Sequence, residues 1–190
     1  MAKRNKRQIR VVDLLARRFR RDERGAMMIE FGILAPIFFA VVGAILEISV
    51  FFLAGQILDG AVHDSARMIR IGQVQQQGIN ADGYRAEICD RLYHMFNCNE
   101  LRISVRQLPS FANFSTGTPV DTETGDWTFS PAYQPGQGQT IVLVEAYYKW
   151  PTILAIPGLM SNVLPDGTRL LAAARVFRNE PFPWGPVPAS

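Results

Sequence analysis

Glu30 stands five residues after Gly25 at the start of a long apolar run, and that spacing is the first place where this chain could do chemistry. A carboxylate inside a bilayer costs about 3 kcal/mol on insertion scales, so a residue of this kind calls for a partner. If the Gly25–Ala26 bond were hydrolysed, Ala26 would gain a free ammonium and Glu30 would become the fifth residue of the shortened chain. Among staggered helices, the ammonium of one chain can then meet the carboxylate of a neighbour, and apolar surroundings strengthen that attraction. The plainer readings are a flexible joint at Gly25 and a Glu30 that snorkels to the headgroups.

The two cysteines, Cys89 and Cys98, are the second candidate pair. A disulfide closing so short a loop would stabilise by roughly 2.5 to 3 kcal/mol in the chain-entropy picture. The competing reading is a metal site of Cys89, His94 and Cys98. On a helix, positions five apart lie about 140° out of phase, and no fourth ligand is near, so no metal is expected. His63 and His94 are the only histidines, and neither stands beside a nucleophile motif such as GxSxG. There is no P-loop and no GxGxxG. The DTETGD turn, Asp121 to Asp126, fails as a calcium loop because its twelfth position is Ala132 instead of a glutamate. The expectation is therefore no enzyme, no cofactor and no small-molecule substrate. Asn113-Phe114-Ser115 is a glycosylation sequon by pattern alone. In the tail, prolines at 181, 183, 186 and 188 surround Phe182 and Trp184. Such density favours a pre-extended chain whose two aromatics could dock on a partner, the alternative being a tail that lies on its own sheet or frays.

The elements that must position these groups begin with Ala26–Leu58, 33 residues carrying only two charges, Glu30 and Glu47. A bilayer core of about 30 Å needs about 20 helical residues. Ten Lys or Arg precede the run, so the positive-inside rule leaves the N-terminus cytoplasmic and exports the rest. A signal sequence cut near Ala54-Gly55 competes, but its apolar region is typically about 7 to 15 residues. A buried helix of a soluble protein competes too, against the absence of any polar face in FGILAPIFFAVVGAIL. Pro36 removes one helical hydrogen bond and bends the span. Gly32, Gly43 and Gly55 are small surfaces without GxxxG spacing. Glu47 lies 21 residues beyond Ala26, about 32 Å along a helix, near the outer interface.

Charge follows the same division. Residues 1–25 hold ten basic and three acidic side chains, a net of +7, which leaves −4 for the remainder of a chain whose total is +3. A basic footprint for nucleic acid would thus disappear with the leader, and nucleic-acid binding is set aside.

Beyond the span the helix should run through DGAVHDSARMIRI, with Ala61, Ser65, Met68 and Ile69 at helical spacing, and stop at Gly72. YRAEICDRLYHMF predicts a second helix with Ile88, Leu92 and Met95 or Phe96 on one face and Asp82 as its cap. Three strands follow. LRISVRQL alternates, putting Leu101, Ile103 and Val105 inward and Arg102, Ser104 and Arg106 outward. TIVLVEAYYKW is β-branched and aromatic, and TRLLAAARVFRN places Leu170, Ala172, Ala174 and Val176 on one face. The stretch from Pro109 to Gln139 is too rich in turn formers for a core. The predicted class is α+β: a long N-terminal transmembrane helix, a second helix and a small antiparallel sheet.

The run RRDERGAMMIEFGILAP resembles the prepilin pattern of a basic leader ending in Gly, four residues, then Glu and an aromatic. Within that group Glu30-Phe31, Pro36 and LAGQILDGAVHDSARMIRIGQ resemble the TadE-like proteins of the tight-adherence (Flp) pilus system, with a weaker echo in RVFRNEPF. The resemblance covers about residues 17–72. It implies a pseudopilin-like outline and cleavage between Gly25 and Ala26 by a TadV-like prepilin peptidase. It also implies roles for Glu30 and Phe31 in assembly, and other Tad pseudopilins and the inner-membrane platform as partners. The division expected is a leader at 1–25, a transmembrane helix at 26–58, an extracytoplasmic domain at 59–180 and a tail at 181–190. Major Flp pilins are little more than the helix, whereas a bulky head follows it here, which suits a minor pseudopilin of the bacterial inner membrane. The alternatives are an unprocessed anchored binding module and an anchored periplasmic enzyme.

Overall fold

The structure, a computed structural model, describes residues 23–114, 117–153 and 163–183. Its class is α+β: one long apolar helix, two further short helices and a three-stranded antiparallel sheet. Helix α1 runs from Glu23 to Arg70 without interruption, through Pro36. By contacts the chain forms two compact units, one ending at Leu46 and one beginning at Glu47.

In the first unit most described side chains of α1 are exposed although they are apolar: Phe31 is 70 % exposed and Phe39 64 %. Water would penalise such a surface at about 25 cal/mol per Å², whereas lipid would not. Among the described residues this is the one helix long and apolar enough to cross a membrane.

In the second unit the same helix becomes a core element. Ala54, Leu58, Ala61, Val62, Ser65 and Ile69 repeat at helical spacing and are all buried, the stripe that a helix packed on one side requires. Gly72 ends it in the left-handed region at φ 80, its N–H donating to the Ile69 carbonyl at 3.0 Å. The sequence pattern did not announce the next element, a one-turn helix α2 at Gln73–Gln77. Helix α3, Ala81–Asp90, is capped by Asn80 and not by Asp82. The Asn80 side chain accepts from the Gly83 N–H at 2.8 Å, and Asp82 sits in the first turn. Ile88 and Leu92 are buried as expected, but the helix stops at Asp90, and Tyr93 and His94 turn the chain through positive φ.

Strands β1 (Arg102–Leu108), β2 (Ile141–Pro151) and β3 (Thr168–Arg178) lie in the order β1-β2-β3, with β2 central. Register pairs Val105 with Val144 and Ala146 with Ala173. The face holding Ile103, Val105, Val142, Val144, Ala146, Tyr148, Leu171 and Ala173 joins the helical core. The packed face of β3 is thus the one opposite to Leu170, Ala172, Ala174 and Val176. Small alanines carry little burial signal, and the sequence could not choose between the two faces. Arg175 lies on the packed side and forms an ion pair with Asp59 of α1.

The long connection between β1 and β2 does not simply project. Ala132 and Gln134 bond the free edge of β1 through the Val105 N–H and carbonyl at 2.7 and 2.8 Å, covering an edge that would otherwise invite pairing. Other parts of it roof the outer sheet face, where Ser104 lies as expected but is buried instead of solvated. Gln75 and Asn179 hold the end of the connection. The Gln75 Nε2 donates to the Pro135 carbonyl at 2.9 Å, and the Asn179 Nδ2 donates to the carbonyls of Pro135 and Gln137 at 3.0 and 2.9 Å.

Candidate functional site

At the N-terminal end of α1, Gly25 is exposed and lies inside the helix. A Cβ built there meets nothing within 4 Å, and glycine within a helix costs about 1 kcal/mol against alanine. Neither packing nor local stability within the fold explains this glycine. Ala26 is helical, and the backbone places Glu30 one turn further along the same face. Glu30 is exposed and forms no ion pair with any of the described residues. Phe31 stands beside it, exposed. Pro36 lacks an N–H, so the Gly32 carbonyl four residues earlier has no helical donor. This end of the helix thus presents a carboxylate on an apolar rod, unpaired among the described residues, with an unexplained glycine five positions before it.

The Glu47 carboxylate has a local use: its Oε1 accepts from the Ile153 N–H at 2.9 Å. Cys89 and Cys98 are joined, with Cα atoms 6.0 Å apart, and the bond ties the end of α3 to the segment entering β1. Phe182 is half-buried. Its backbone lies so close to Gly138 that a Cβ there would come within 2.9 Å of the Phe182 N and O. Trp184 and residues 1–22 of the leader lie outside the described residues. His63 and His94 are both exposed. Among the described residues no three His, Cys, Asp or Glu side chains gather as metal ligands.

The sequence reading missed one cluster on the outer sheet face. Glu145 is 1 % exposed in the middle of β2. Its Oε2 accepts from the Arg106 guanidinium at 2.7 Å and its Oε1 from the Tyr147 hydroxyl at 3.0 Å. Burial, and then the bond to Glu145, push the Tyr147 phenol up to about 12. The available signal was a single acid in the apolar run TIVLVEAYYKW, matched by Arg106 in LRISVRQL. Nearby, Lys149 bonds Asp166 at 2.8 Å and lies over the Trp127 ring, 5.1 Å from its centroid. Desolvation raises the Asp166 carboxyl, but its bonds from Lys149 and Thr168 outweigh that and hold it below its ordinary value.

Comparison with known proteins places a family on one part of the chain. The model of the TadE-like protein family matches residues 25–67, which takes in Gly25, Glu30, Phe31 and Pro36 and stops before the sheet. No curated protein and no solved structure matches the chain.

Proposed function

Taking residues 25–67 as a TadE-like segment, a family of structural pilus components and not of enzymes, we propose that this chain is a minor pseudopilin of a Flp (Tad) pilus. A TadV-like prepilin peptidase removes the leader between Gly25 and Ala26. The mature protein stays in the inner membrane by its single helix, with its α+β head on the periplasmic side, until it joins other Tad pseudopilins at the assembly platform. Phe182 and Trp184 are assigned to contacts with those partners.

One observation carries the reading: a Glu30 without an ion-pair partner among the described residues, five positions beyond a glycine that the fold does not require. After cleavage, the ammonium of Ala26 on one chain is the partner that the carboxylate of a neighbour lacks. In apolar surroundings the pair fixes the axial stagger of adjacent helices, because a displaced register leaves both charges unpaired.

Substitution at Glu30 tests this directly. Glu30→Ala removes an intramembrane charge, so membrane insertion should be as good as in the wild type or better. Leader cleavage should persist, because the scissile bond is a full turn away. Piliation and cross-linking to other pseudopilins should be lost, and Glu30→Gln should lose them nearly as fully. Normal pili and normal cross-links in both variants would mean that Glu30 only snorkels, and the register role would fall.

A further inference from the structure

The cluster beneath the long β1–β2 connection is more than a structural ion pair. A cavity of about 260 Å³ opens on the outer sheet face, and its lining includes Ser104, Arg106, Thr128, Phe129, Glu145 and Tyr147. Ser104 is fully buried, and its hydroxyl has no hydrogen-bond partner among the described residues. Leaving a hydroxyl buried and unmet costs about 1 to 3 kcal/mol, so a fold indifferent to it would be better served by alanine. Ser104 also stands directly opposite Glu145 in the sheet register, which sets the unmet hydroxyl beside the buried carboxylate.

We propose that this cavity is a binding site for a single neutral pyranose sugar. Its chemistry selects the class. Glu145 and Arg106 neutralise each other, so the site offers no net attraction to an ion. Each Glu145 oxygen receives one donor and keeps an acceptor direction for another, while Ser104 and Arg106 supply further donors. Adjacent hydroxyls on a sugar ring match such a mixture because each hydroxyl both donates and accepts. The Phe129 ring, packed edge-on against Tyr147 at 5.2 Å, supplies an apolar wall for the ring's C–H face. The volume lies below the roughly 300 to 1,000 Å³ of drug-sized sites, which limits the ligand to about one ring. This inference is independent of the assembly role. In a pilus component it would place a glycan contact on the head.

The test uses the full chain in a zwitterionic detergent free of sugar groups. Saturation-transfer NMR is run with methyl glycosides of mannose, galactose, glucose and N-acetylglucosamine at millimolar concentration. At least one glycoside should receive saturation. Glu145→Gln should weaken its binding by about tenfold or more, since a charged acceptor is lost. Ser104→Ala should also weaken binding while leaving the melting temperature unchanged or raised, so it serves even if the Glu145 variant folds poorly. Absence of transfer to all four glycosides overturns the proposal. So does binding that is unchanged in Ser104→Ala, because the ligand then sits elsewhere.

Discussion

Tyr84 is fully buried in the second unit, and its hydroxyl has no hydrogen-bond partner among the described residues. Burial raises its phenol far above the ordinary value, with the neighbouring Tyr133 adding to the effect and Arg91 opposing it. Tyr84→Phe removes only the unmet group, because the ring fills the same space. The expected gain at neutral pH is about 1 to 3 kcal/mol. A second consequence appears in alkali. The folded state holds the phenolic proton more tightly than the unfolded chain, so the stability linked to this group is complete below about pH 10 and declines as pH rises further. Tyr133 is raised as well, by burial, and Tyr147 to about 12. The enclosed Tyr84 should add a slope of up to about 1.4 kcal/mol per pH unit above pH 10, and Tyr133 and Tyr147, closer to solvent, should each add less. Tyr84→Phe should therefore make the alkaline loss shallower without abolishing it. The assay is thermal unfolding of the detergent-solubilised protein by near-ultraviolet circular dichroism across pH 8 to about 11.5, within the phenol range. A variant less stable at neutral pH, or one with an unchanged alkaline slope, would refute the argument.

Two further outcomes are expected. Gly25→Val should leave the +7 leader attached, visible as slower migration than the wild type, because a cleft that grips an extended chain has little room for a side chain there; co-migration would count against processing. Thiol labelling without reductant should find Cys89 and Cys98 blocked, and reduction should cost the domain roughly 2.5 to 3 kcal/mol. Two free thiols in unreduced protein would remove the disulfide from the account.

The long helix, the stop at Gly72, the three strands and the α+β class were legible because each rests on a strong local pattern. What escaped depends on contacts between distant parts of the chain. The alanines of β3 look alike on both faces until α1 occupies one of them. Asn80 outcompetes Asp82 as the cap because its position relative to the Gly83 N–H decides, not its charge. The Pro109–Gln139 stretch reads as loop by composition, and most of it is. Its use as a roof emerges only when Ala132 and Gln134 meet β1 and Val120 becomes 3 % exposed. At the N-terminal end, the Gly25 to Glu30 spacing was legible from the start. The fold added that a side chain at Gly25 would meet no obstacle.

The division of labour along α1 bears on how the head could ever be released from its anchor. Ala54 and Leu58 are completely inaccessible, and Val62 and Ile69 are equally enclosed by the sheet and α3. A protease cutting within Ala54–Ile69 would not liberate a domain but extract its central pillar, exposing an apolar trough prone to clumping. Shedding without collapse is limited to cuts at or before Glu47, where the second unit begins. For the same reason, a soluble head for crystallisation or glycan binding has to carry the helix from Glu47 onward.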